Sequence, residues 1–260
     1  MEYNATTTKI FDIPPYTFFS VIGVVFASSL FILLLLKYGY SISRYTKIFF
    51  ISGAGMLIGA KIFGLLTGLY TALANNEAIN SDIFLNTGIV FYGGLLGFLT
   101  AFLFICKIRD KKIDFGVVDL AVVCIPLFHF WGRLGCFFAG CCFGIENHSV
   151  LSILYTNYID NEIVTASRFP VQLLEAGTNI IIFSTLVIAL KTKKFKGHFI
   201  IIYLFIYSAM RIVIEFFRGD LFRGVWNGIS FSQAVSAIIL LNCTVFFIAK
   251  KIKKKEYEIQ

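Results

Sequence analysis

Three cations stand where a cation is costly. Lys61, Arg133 and Arg211 lie in, or at the end of, apolar runs long enough to cross a bilayer. A cation at the bilayer centre costs about 2.5–3.5 kcal/mol on insertion scales, so such a residue normally faces a protected interior and marks a path or a site. Arginine suits one ligand class well. Its planar fork takes a phosphate through two parallel hydrogen bonds and keeps its charge at any cellular pH. Lipid headgroups carry phosphate, so these residues point to a membrane protein that handles a phospholipid.

Other chemistry-bearing residues fall into four short stretches. Tyr92-Gly93-Gly94-Leu95-Leu96-Gly97 is glycine-rich; its glycines read first as close helix packing and second as room for a lipid. Gly132-Arg133-Leu134-Gly135-Cys136, continuing to Gly144, surrounds an arginine with glycines where an apolar run ends, as a turn built around an anion pocket would. In Arg168-Phe169-Pro170-Val171-Gln172-Leu173-Leu174-Glu175, Pro170 suits a first helical turn, and Gln172 and Glu175 share a face as either caps or site residues. Arg211 and Glu215 are one turn apart and can pair within a helix, which lowers the cost of burying the cation.

The elements that must position these groups are membrane helices. Apolar residues form 58% of the chain and charged residues 15%, far from a soluble domain. A span needs about 20 apolar residues. Seven runs qualify, at 16–36, 47–70, 87–106, 115–135, 171–190, 198–217 and 229–249. The predicted fold is therefore all-α: one integral membrane domain over 1–260, with seven transmembrane helices, an outer loop region at about 136–170 and a basic tail at about 250–260. One set of connections holds sixteen lysines and arginines (Lys37, Arg44, Lys47 and the clusters at 107–112, 191–196 and 250–255), and the other holds Lys9, Arg168, Arg218 and Arg223. That bias predicts an N-terminus outside and a C-terminus in the cytoplasm.

The topology gives depths. Tyr92 falls about 8 Å inside the outer face and Arg211 about 9 Å, at 1.5 Å per helical residue. Arg133 falls near the outer end of its span, and Lys61 past the middle of an outward-running one. Four polar residues from four helices thus share the outer half of the membrane. Asp119 falls near the cytoplasmic end and reads as a structural acid.

Other classes fit poorly. The net charge of +8 is confined to loops and tail, with no aromatic platform among the cations, which argues against nucleic acid. The first apolar run is too long for a cleaved signal and reads as a retained span. Cys106, Cys124 and Cys243 sit in apolar runs as small hydrophobes, whereas Cys136, Cys141 and Cys142 cluster. A disulfide there would join Cys136 to Cys141 or Cys142 if the loop faces an oxidising space. Zinc on those three cysteines with His129 or His148 is set aside, because no paired spacing of a zinc site repeats, and no metal or cofactor is assigned.

At these stretches the chain resembles prolipoprotein diacylglyceryl transferase, a bacterial membrane enzyme family, from about Tyr16 to Gln233. Tyr92–Gly97 looks like the family's His-Gly-Gly-Leu-x-Gly. Gly132–Gly144 is similar to Gly-Arg-x-Gly-Asn-Phe-x-Asn-Gly-Glu-x-x-Gly. Arg168–Glu175 resembles Arg-His-Pro-x-Gln-Leu-Tyr-Glu, and Arg211–Arg218 resembles Arg-x-x-x-Glu-x-x-Arg. Tyr92 and Phe169 replace histidines, Cys136 an asparagine and Cys141 a glutamate, whereas Arg133, Arg211 and Glu215 are kept. The resemblance implies an enzyme of the bacterial cytoplasmic (inner) membrane. Its donor would be phosphatidylglycerol and its acceptor the lipobox cysteine thiol of a prolipoprotein signal peptide, joined as a thioether with release of glycerol phosphate. It implies Arg133, Arg211, Tyr92 and Glu215 as catalytic residues. Gly93, Gly94, Gly135, Cys136, Gly144, Gln172, Glu175, Lys61 and Tyr16 would bind substrate. Tyr92 is a poor base because a phenol titrates near 10, so hydrogen bonding to the headgroup is its expected part. The base is Glu215, Glu175 or the arginine field itself. The alternatives are a phospholipid-dependent transferase with another acceptor and a non-catalytic carrier of anionic lipid.

Overall fold

A computed structural model describes residues 2–4, 10–75, 88, 90–159, 162–219 and 225–259 of the chain. Among these, seven helices follow one another: α1 (Pro15–Tyr38), α2 (Ile42–Asn75), α3 (Phe91–Asp110), α4 (Phe115–Phe138), α5 (Val171–Lys191), α6 (Phe199–Glu215) and α7 (Phe231–Ile259). Each matches one predicted apolar run. Six are long and apolar enough to cross a membrane; α6, at 17 residues, is shorter. Local chemistry sets the boundaries. Pro15 opens α1 with its fixed φ, and Gly39 closes it in the left-handed conformation (φ 74°), sending its N–H back to Leu35 and Leu36. The Asp114 carboxylate accepts from Gly116 N–H at the start of α4.

Several boundaries differ from the sequence expectation: α2 opens at Ile42 rather than at 47 and runs to Asn75 rather than to 70. The third helix begins at Phe91 rather than at 87. The seventh continues to Ile259, so the basic tail is helical; lysines are good helix formers and need no core. The helical fold is as expected, and the stretch expected as an outer loop region also carries short strands. There β2 (Ile153–Ile159) and β3 (Glu162–Arg168) form an antiparallel hairpin, with Tyr155 opposite Ala166, and β1 (Glu2–Asn4) adds to β2 in parallel. A second small sheet pairs β4 (Val225–Trp226) with β5 (Ile229–Ser230). The hairpin is rich in Ile, Val, Thr and Tyr, which fit a pleated surface better than a helix.

The bundle is built around α4, which packs against α1, α5 and α6 and whose apolar stretch is 61% buried. By contrast, α7 is 11% buried over its apolar stretch and leans chiefly on α6. Large apolar side chains such as Leu33, Ile58, Phe104, Ile181 and Leu241 face outward, as on a surface meant for lipid. α2 and α3 meet backbone to backbone: a Cβ on Gly93 would collide with the Gly59 carbonyl oxygen, and one on Gly97 with that of Gly55.

The two ends of the bundle differ in chemistry. At one end lie both small sheets, the starts of α1, α3, α5 and α7 and the finishes of α4 and α6. At the other, Arg44 pairs with Asp110, which also accepts from Tyr45 at 3.1 Å, and Lys250 meets His198 at 2.7 Å. There too Asp119 accepts from the N–H groups of Gly197 and Phe199, satisfying two donors at the start of α6. Asp119 is thus a structural acid.

Candidate functional site

The site grows from one carboxylate. Glu175 lies one turn inside α5, behind Pro170, and is 1% exposed. Arg133, near the end of α4, places Nη2 2.9 Å from Glu175 Oε1. Arg211, near the end of α6, donates Nη1 to the same carboxylate at 3.2 and 3.3 Å. Its other nitrogen, Nη2, lies 2.9 Å from Glu215 Oε2 and donates to Ser232 Oγ on α7 at 3.3 Å. Two guanidiniums and two carboxylates are therefore buried together where α4, α5, α6 and α7 converge. Such a cluster survives in a low-dielectric interior only because each charge has a partner.

Further residues fix its walls. Arg133 Nε donates to His129 Nε2 at 3.2 Å, and the His129 ring stacks on Phe91 with centroids 3.5 Å apart. Tyr92 is buried next to Tyr207, with its hydroxyl 2.5 Å from Ser236 and 3.3 Å from Ser208. An open cavity of about 190 Å³ adjoins the cluster, lined by Glu215, Arg218, Ser230 and Gln233 among others.

Three of the sequence stretches are tied together through their main chains. Gly144 N–H donates to Phe169 O, Ile145 N–H to Phe217 O, and Gly219 N–H to Phe143 O, each at 3.0 or 3.1 Å. The approach is so close that a Cβ on Gly144 would strike the Phe169 carbonyl oxygen, and one on Gly219 that of Gly144. Gln172, fully buried, donates to Cys141 O at 2.8 Å and accepts from Tyr155 Oη at 3.4 Å. Arg168 lies over the Phe143 ring at 4.4 Å and pairs with Glu146 at 3.2 Å.

The sulfurs form their own group. Cys136, in the last turn of α4, and Cys141 and Cys142, just beyond it, are all free thiols with Sγ atoms within 4.8 Å of one another. Hydrogen bonds from Cys136 and Cys141 hold the Cys142 thiol well below its usual range, against the cost of burial, and Arg218 and Arg133 add to the effect.

Arg133, Arg211, Glu215 and Glu175, expected from the sequence, thus meet in one cluster. Gln172, Gly144 and Cys136 lie in the layer beside it. Gly135 sits where α1 crosses α4, with Tyr16 Cα 3.2 Å from a Cβ built there; Tyr16 itself is 39% exposed. Gly93 and Gly94 both face α2, and Lys61 is half-buried on α2 next to that contact. The sequence reading named His129 only as a discarded zinc ligand and did not include Ser208, Ser232 or Ser236. Their signal was helical spacing: His129 is four residues before Arg133, Ser208 three before Arg211, and Ser232 and Ser236 four apart on α7.

The chain matches the family model described as prolipoprotein diacylglyceryl transferase over residues 4–249. It is 26% identical to phosphatidylglycerol–prolipoprotein diacylglyceryl transferase 2 of Clostridium perfringens, covering 93% of this chain and 92% of the relative. The enzyme of that name from Clostridium tetani is 26% identical, over 79% of this chain and 80% of its own length. The Campylobacter jejuni enzyme is 30% identical over 69% and 64%.

Proposed function

The chain belongs to the prolipoprotein diacylglyceryl transferase family, and from that premise we propose that it moves the diacylglyceryl group of phosphatidylglycerol to the thiol of a lipobox cysteine. The products are a thioether and glycerol phosphate. It is a multi-pass membrane protein. In the same reading all seven helices cross the cytoplasmic membrane as one domain, with the charge cluster beneath the outer face and the basic end in the cytoplasm.

The observation that carries the proposal is the buried Arg133–Glu175–Arg211–Glu215 cluster. Phosphatidylglycerol reaches it with one negative charge on its phosphodiester. As the thiolate attacks the glyceryl carbon, the C–O bond breaks and a second negative charge gathers on the departing phosphate. Two guanidiniums already held in place bind that charge more tightly than the ground state, which is how electrostatic catalysis lowers a barrier. Glu175 accepts from both arginines, so its part is to orient their forks. Tyr92, bonded to two serines, holds α3 against α6 and α7 and keeps the floor of the site in register.

The acceptor must be ionised, since a free thiol with pKa near 8.5 is only a few per cent thiolate at neutral pH. Glu215, Glu175 or the guanidinium field are the groups of the cluster that can promote this.

The test is mass analysis of a lipobox peptide after incubation with the purified protein and phosphatidylglycerol. A diacylglyceryl adduct on the cysteine is expected, lost in Arg133→Ala and in Arg211→Ala while both variants still insert. Release of glycerol phosphate with an unmodified peptide would point to another acceptor. Lipid binding with no release would point to a carrier.

A further inference from the structure

The three clustered cysteines have no part in the charge cluster, yet they lie within a turn of it. Arg133 and Cys136 are three residues apart on α4 and so project from one face. Cys141 and Cys142 return to the same place because the chain reverses beyond α4. Gly140 takes a left-handed turn (φ 65°), Cys141 N–H donates back to Cys136 O at 3.1 Å, and Cys142 is itself left-handed (φ 57°). A non-glycine residue in that conformation costs about 1–2 kcal/mol. Here that cost falls on a residue that completes a triangle of sulfurs within 4.8 Å of one another. The sequence spacing argued against a metal site because it looked for paired motifs; the fold supplies the third sulfur through a turn instead.

We propose that Cys136, Cys141 and Cys142 form a three-thiolate site for a thiophilic d10 cation, Zn²⁺ in the first instance, whose fourth position takes the acceptor thiol. Tetrahedral zinc with Zn–S bonds of about 2.3 Å sets its sulfurs about 3.8 Å apart, so no pair here needs to close by more than about 1 Å. Among the described residues no fourth cysteine, histidine, aspartate or glutamate joins the group. Three protein ligands with one open position are the arrangement of a working metal rather than a closed structural one. Three thiolates and one Zn²⁺ leave a net negative charge. Arg133, on the same helix face, and Arg218, whose main chain bridges to Gly144, supply positive charge next to it.

The second half rests on the transferase reading. That reaction needs a thiolate, and the residue standing where the family has histidine, Tyr92, is bonded to two serines. A coordinated thiol gives up its proton. On binding, the acceptor S–H proton leaves to water and the sulfur becomes a zinc-bound thiolate. Its lone pair then forms the C–S bond to the glyceryl carbon, and the C–O electron pair departs with glycerol phosphate. No oxidant or reductant is required.

The experiment uses the full chain in detergent, reduced, stripped with a chelator and titrated with Cd²⁺ alone while thiolate-to-cadmium absorption is followed. One equivalent is expected, lost in the Cys136→Ser/Cys142→Ser double variant and kept in Cys243→Ser, whose thiol lies elsewhere on α7. A lipobox peptide should then raise the absorption by about a third, as three thiolates become four, and a peptide with serine for cysteine should not. Chelation should slow thioether formation about thirtyfold near neutral pH, the ratio of full to free-thiol ionisation, with recovery on adding Zn²⁺. Absence of stoichiometric binding, binding that survives the double variant, or a disulfide among the three that persists under reduction overturns the site. Undiminished turnover after chelation, or in folded serine variants, overturns the activation while the transferase stands. Cadmium and peptide binding without any thioether from the zinc form sinks the transferase reading and leaves the metal site standing.

Discussion

Glu175 gives one carboxylate to two guanidiniums, and that economy makes it the most sensitive position in the molecule. Glu175→Gln keeps the shape but leaves Arg133 and Arg211 buried without their shared anion, and breaking a buried pair costs about 3–5 kcal/mol. The expected result is a clear fall in thermal unfolding temperature in detergent together with loss of thioether formation. Arg211→Lys tests the fork itself. Arg211 bonds Glu175, Glu215 and Ser232 at once, whereas an ammonium is a point donor; turnover should drop about a hundredfold, the scale for losing a preorganised anion-stabilising donor. Tyr92→Phe removes a hydroxyl shared with Ser208 and Ser236 and should cost about 1 kcal/mol of stability with turnover nearly intact. A turnover loss beyond what the stability change explains would return the hydroxyl to the chemistry. Single residues were unevenly legible in the sequence. A lone arginine in an apolar run announces itself by its cost, and Arg133 and Arg211 did so. Glu175 did so less plainly: its spacing left it open between cap and site, because an acid in a helix's first turns has an ordinary reason to be there.

Helices were the most legible part of the molecule, since a run of about 20 apolar residues has few other uses. The glycines show where that legibility stops. Gly93 and Gly97 were read as close packing with no partner named, and the partner is Gly55 and Gly59 on α2. A four-residue glycine spacing on each helix marks the face, but pairing one helix with another is a tertiary fact. Gly93→Leu should wedge α2 from α3, cost more than the roughly 1–3 kcal/mol of ordinary overpacking because the obstruction is backbone, and yield aggregated protein on size-exclusion chromatography. Gly53→Ala, with nothing within 4 Å of a new Cβ, should behave as the unchanged protein. The hairpin was hidden in the same way. β2 and β3 pair from Ile153 opposite Arg168 to Ile159 opposite Glu162, and neither stretch alone names its partner.

Across the whole molecule, chemistry is divided between two ends. The sequence already showed this as sixteen cations against four. In the fold, the basic end is fastened by the Arg44–Asp110 ion pair, the Lys250–His198 contact and the Asp119 caps. In the proposed orientation, a reporter that works only in the cytoplasm should be active when fused after Gln260. An impermeant thiol reagent applied from outside intact cells should reach the exposed Cys141, and labelling of Cys141 only after the membrane is opened would invert the proposed orientation. The site end joins its buried charge cluster to a net of peptide groups: Gly144 to Phe169, Ile145 to Phe217, Gly219 to Phe143. Gly144 and Gly219 apart, where no side chain fits, such bonds ask little of the side chains that happen to ride on them. The scaffold can thus stay put while its cargo of functional groups is exchanged, and a lineage can try cysteine for asparagine, or phenylalanine for histidine, without first having to reinvent the chamber in which the new chemistry would be judged.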